Sequence, residues 1–178
     1  MKKNSILLKC FFTILASMAF LSTIEAQNAT ATTNLNVILA DVVNIEIADA
    51  NVNLNFTTAA NYRDGVSVTK PAHLKVSSNR KYQVSVKAAS GQLTGPASST
   101  IPVNTIKVEA TGTLPSDIDA SATVGKNLSA TDQVIIKRNV PAVQDTYDIK
   151  YTASGGNDYV GKASGTYTTV LTYTIAGS

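Results

Sequence analysis

Few residues of this chain carry the chemistry of a catalytic or ligand-binding group, and their spacing argues against a site built from them. His73 is the sole histidine. It precedes Leu74 and Val76, whose alternation marks one strand face, so the pattern predicts an imidazole turned away from that face and into solvent. A lone histidine makes no Ser-His-Asp set without partners, and beside a single cysteine it makes no zinc site. Asp117-Ile118-Asp119 puts two carboxylates on one side of an extended loop, a minor calcium arrangement that lacks the Asp-x-Asp-x-Asp-Gly order. Arg80-Lys81 and Lys137-Arg138 read as solvated turn and edge charges. Gly155-Gly156 follows a strand, but no helix follows it, so it is not a phosphate loop. These residues imply no catalytic, cofactor or metal site, and the chain is not expected to be an enzyme.

The tyrosines divide into two groups. Tyr147, Tyr151, Tyr167 and Tyr173 share the apolar phase of their segments and are expected in or beside the core. Tyr62 and Tyr159 stand in turn-rich segments and are expected to be exposed, where an aromatic ring can stack on a sugar.

Behind these residues lies an export-type composition. Lys2 and Lys3, the mostly apolar stretch Cys10 to Leu21, and Ala26 before Gln27 together read as a secretory signal over residues 1–26. Lys9 interrupts a stretch already shorter than the ~20 apolar residues of a membrane span. Removing the signal takes three lysines and Glu25 with it, lowering the formal charge from +3 to +1. A nearly neutral chain offers no electrostatic case for nucleic acid or anionic lipid. Cys10, the single cysteine, also leaves, so residues 27–178 have no disulfide and no thiol ligand. Phe56 and seven tyrosines are the aromatic residues left. The core must then come from Val, Ile, Leu and Ala, a recipe suited to strands.

Period-two alternation recurs along residues 27–178. After a flexible lead-in at 27–33, Leu35, Val37, Leu39, Val43, Ile45 and Ile47 keep one phase. Asp41 breaks it, where a bulge or a change of sheet is expected. Val52, Leu54 and Phe56 alternate with asparagines. Thr57 to Gly65 reads as a polar loop. Leu74–Val76 and Tyr82–Val86, joined through Ser77 to Arg80, read as a hairpin. Tyr147, Ile149 and Tyr151 alternate again, and Thr166 to Ile175 reads as the closing strand. Eight to ten short strands without a helix of normal length predict one all-β domain, an Ig-like antiparallel β-sandwich.

Three stretches carry a family resemblance. Leu74-Lys-Val-Ser-Ser-Asn-Arg-Lys-Tyr-Gln-Val-Ser-Val86, Tyr147-Asp-Ile-Lys-Tyr-Thr-Ala153 and Gly165-Thr-Tyr-Thr-Thr-Val-Leu-Thr-Tyr-Thr-Ile175 resemble, in order, segments of spore-coat-U-type and archaic chaperone–usher pilin domains. The resemblance implies an Ig-like sandwich lacking its last strand. A periplasmic chaperone fills the gap first, and the N-terminal extension of another subunit fills it afterwards. Carried onto this chain, Tyr167, Leu171, Tyr173 and Ile175 would line the groove, and Leu35, Val37 and Leu39 would be the inserted side chains. Two departures stand out: Ser77 and Ser78 occupy the place where such domains often carry a cysteine, and Gly177 is penultimate where many pilins have an aromatic.

Two functions follow. The first is a secreted structural or adhesive subunit of a fimbria-like cell-surface assembly, its partners copies of itself or related subunits. The second is a monomeric surface-associated module for carbohydrate or protein, built on a sandwich that Leu35–Ile47 completes as its own first strand.

Overall fold

The computed structural model describes residues 28–177, so the expected signal at 1–26 lies outside the described residues. A division of the chain falls between Ile38 and Leu39. On its N-terminal side, residues 28–38 are exposed and belong to no helix or strand.

The C-terminal unit is an all-β antiparallel sandwich of ten strands, within the expected count. The strands are β1 (Val43–Ile47), β2 (Val66–Ser78), β3 (Tyr82–Ala88), β4 (Gln92–Thr94), β5 (Thr100–Pro102), β6 (Ile106–Thr111), β7 (Lys126–Asn127), β8 (Gln133–Arg138), β9 (Ala142–Ala153) and β10 (Leu171–Gly177). One sheet has the order β1-β2-β9-β6-β7, the other β10-β3-β8, and β4 and β5 form a small ribbon. Inward residues of both sheets make the core. Leu74 and Val76 on β2, Val84 and Val86 on β3, and Ile149 on β9 are all fully buried, as the alternation requires.

The expected hairpin between Leu74–Val76 and Tyr82–Val86 does not form. β2 pairs with β1 and β9, whereas β3 pairs with β10 and β8. Their connection is an arch from one sheet to the other. The Ser78 hydroxyl donates to the Arg80 carbonyl (2.9 Å) to close it. Both flanking runs are apolar in phase because they face each other through the core. A hairpin would have set them side by side in one sheet.

Leu35–Ile47 is likewise not one strand. Only Val43–Ile47 pairs, with Ile45 opposite Val76 and Ile47 opposite Leu74. Asp41 precedes the strand as an exposed residue ion-paired to Arg80 (2.7 Å), so it marks the start of pairing rather than a bulge. The closing strand is also shorter than its alternation, beginning at Leu171, with an isolated bridge between Thr168 and Thr94 ahead of it.

The polar stretch after Phe56 contains a short helix, α1 (Ala59–Asp64). Thr58 caps it, accepting from the Asn61 amide (3.3 Å), while Asn61 Oδ1 accepts from the Thr58 amide (3.0 Å). Gly65 ends the helix at φ 85°, packed so closely on the Ala153 carbonyl that no side chain fits. A second helix, α2 (Ala120–Thr123), is a single turn capped by Asp119.

Candidate functional site

β10 is an end strand of its sheet, bonded to β3 on one side. The other side opens on a groove of about 980 Å³ within the C-terminal unit. Its opposite wall is the extended segment 49–57. There Val52, Leu54 and Phe56 are half-buried against the core while Asn53 and Asn55 are exposed. This is the alternation of a strand, as the sequence predicts, but the segment belongs to no sheet. A strand-like wall and an open strand edge thus line one groove.

The groove has two distinct ends. At one, Phe56 stacks on Tyr159 (ring centroids 4.5 Å apart, 17° between planes) and tilts against Tyr62 (5.4 Å). Tyr159 is buried and its hydroxyl bonds that of Thr105 (2.7 Å), so of the two tyrosines expected in solvent only Tyr62 is exposed. Tyr167 closes the wall nearby. Its hydroxyl lies 3.0 Å from Ser99 Oγ and 2.9 Å from the Ala163 carbonyl. Its ring lies over Gly95, where any Cβ would collide with it.

At the other end are Tyr173, Tyr151, His73 and the Asp49–Lys70 ion pair (2.5 Å). Lys70 holds the Asp49 carboxyl below the usual range. The Tyr151 and Tyr173 hydroxyls bond each other. Burial pushes Tyr151 up to about 12 and Tyr173 up as well, so both stay protonated at neutral pH.

His73 corrects the expectation from sequence. It is 2% exposed and lines the groove, its ring edge-on to Tyr151 (5.8 Å) and to Tyr173 (6.4 Å). The reason is an irregularity in β2. Between Lys70, opposite Ile149, and Leu74, opposite Tyr147, the strand carries two residues more than its partner. Ala72 sits there at φ 45°, its amide held by Asp148 Oδ1 (2.7 Å). Such a bulge re-aims a side chain, so His73 and Leu74 are both buried although adjacent. Burial lowers the His73 pKa, and nearby Asp49 opposes this only in part. Its Nδ1 is enclosed and has no hydrogen-bond partner.

Of the four groove residues expected from the resemblance, Tyr167, Leu171 and Tyr173 line the groove. Ile175 shares their phase but packs farther along the core. Leu35, Val37 and Leu39 are 87%, 76% and 87% exposed and lie outside every strand.

Arg138, Lys137 and the Asp117–Asp119 pair serve structural contacts. Arg138, expected in solvent, is mostly buried between Asp145 (2.7 Å) and Asp117 (3.4 Å), and Asp145 also accepts from the Tyr82 hydroxyl (2.9 Å). Asp119 caps α2 and faces Lys137 (3.4 Å), so both acids of the Asp117–Asp119 pair serve as ion-pair partners. No helix among the described residues is long and apolar enough to cross a membrane.

No family model matches the chain, and no curated protein matches it. Among solved structures, it is similar to a chain in the structure of a chaperone–usher pilus, at 10% identity and a TM-score of 0.46, covering 88% of this chain and 99% of that one. The likeness is distant.

Proposed function

We propose that this protein is an exported, non-enzymatic structural subunit that assembles when residues 33–39 of one copy enter the groove of another. The observation that carries this reading is the groove itself, open between the free edge of β10 and the unpaired wall at 49–57. An entering strand would bond the open β10 edge, and its alternate side chains would enter the groove. The groove argues against a self-complete monomeric sandwich.

Leu35, Val37 and Leu39 are suited to the insertion. They alternate, they are exposed, and they belong to no strand of their own. Burying each one contributes about 1.5–3 kcal/mol. Until assembly the groove leaves apolar side chains beside an unpaired strand edge, a surface prone to mispairing, so a periplasmic chaperone is its expected occupant after export.

An unheated SDS gel of the exported protein tests the proposal. The expected result is a ladder of multiples of one chain that collapses on boiling and is absent for Val37→Asp. A single band for the unaltered chain, with one-chain mass by light scattering, would overturn it.

A further inference from the structure

His73 is a buried imidazole in a groove of mixed polar and apolar lining. A buried polar atom without a partner is destabilising, and Nδ1 of His73 is such an atom. The ring also sits at a defined place, beside Tyr173 at one end of the groove, with Tyr167 toward the other. From Tyr173 to Tyr167 is six residues of chain, roughly 20 Å if extended. From Thr33 to Leu39 is the same span, with Thr33, Leu35, Val37 and Leu39 in one phase.

We propose that His73 sets the register of assembly by receiving the Thr33 hydroxyl of a second copy's strand. This deepens the assembly reading above and rests on it. A strand antiparallel to β10, which continues the antiparallel sheet, enters with its N-terminal end at Tyr173. Thr33 then lies opposite Tyr173 and beside His73, Leu35 opposite Leu171, Val37 opposite Thr169 and Leu39 opposite Tyr167. A hydroxyl both donates and accepts, so it serves whichever imidazole nitrogen faces it.

The neighbouring registers are worse. A slip of two residues one way puts Leu35 on His73, leaving the imidazole unpartnered, and presses the Asp41 carboxylate against Tyr167. A slip the other way puts Ala31 on His73 and carries Leu39 past Tyr167. Odd slips turn Asn34 and Asn36 into the groove along with Ile38, and turn Leu35, Val37 and Leu39 out. The polar pair at one end therefore selects among registers that three aliphatic side chains alone would distinguish poorly.

The test uses the full chain carrying Val37→Asp, which cannot donate its own strand but keeps its groove. Fluorescent peptides of residues 30–41 are titrated against it, so the groove is unaltered while the peptide varies. The expected result is saturable binding, weakened about three- to tenfold by Thr33→Val in the peptide, a loss that shrinks or reverses on an acceptor that also carries His73→Phe. Equal binding of the threonine and valine peptides overturns the role of His73 and leaves the assembly reading standing. Binding by neither peptide overturns both.

Discussion

The hydroxyls of Tyr151 on β9 and Tyr173 on β10 bond each other across the two sheets. This bond ties the free end strand of one sheet to a central strand of the other, beside the groove. Replacing one partner strands the other's part-buried hydroxyl, whereas replacing both removes the demand. Tyr151→Phe or Tyr173→Phe should therefore each lower unfolding stability by about 1–3 kcal/mol. The double variant should recover much of that loss. Urea unfolding of the three variants measures the non-additivity.

Gly95 is the counterpart of that bond at the far end of the groove. Its lack of a side chain lets the Tyr167 ring lie across the backbone. Gly95→Ala should displace the ring and lower stability by about 1–3 kcal/mol, the usual cost of overpacking. Thermal unfolding detects the shift. The more specific sign is weaker binding of the 30–41 peptide.

His73 should make stability depend on pH. Its pKa in the folded chain is lowered from 6.5 by burial, so the unfolded chain binds more protons wherever the two differ. Stability is then greatest above pH 6.5, declines as pH falls toward the folded value, and levels off below it. The charged and titratable groups around the ring are Asp49, Lys70, Tyr151 and Tyr173. The tyrosines do not titrate in this window, and Asp49 stays ionised because its own pKa is lowered. Chemical unfolding at several pH values between 5 and 8 should show this component in the unaltered chain and not in His73→Gln.

Val37→Asp separates assembly from folding. Val37 is exposed and outside every strand, so a carboxylate there should change domain stability by no more than about 0.5 kcal/mol. Assembly should nevertheless be lost, because insertion would bury the charge in the groove. Urea midpoints read the first effect and light scattering the second.

Much of this fold is legible in the residues because alternation reports burial directly. Tyr147, Ile149 and Tyr151 point inward as their phase requires, and so do Leu171 and Tyr173. The wall at Val52, Leu54 and Phe56 is legible as a strand, though not as an unpaired one, since alternation records which face is buried and not which edge is bonded. The arch between β2 and β3 is hidden for the same reason: two apolar runs look alike whether they pair or face each other. His73 is misread because the irregularity at Pro71-Ala72 shifts the phase, and an alanine at positive φ leaves no mark in the sequence. The helix α1 had a signal, Thr58 with Asn61 three residues on, that a reading of the stretch as a polar loop passes over.

The most direct test of assembly is disulfide trapping between two singly substituted full chains in a Cys10→Ser background. One chain carries Val37→Cys. The other carries Thr169→Cys or Leu171→Cys at the groove, or Lys107→Cys on β6 as a control. Oxidation should yield a covalent dimer with a groove position and none with Lys107→Cys. No dimer, or equal dimer with the control, would contradict the insertion of residues 33–39 into the groove of another copy.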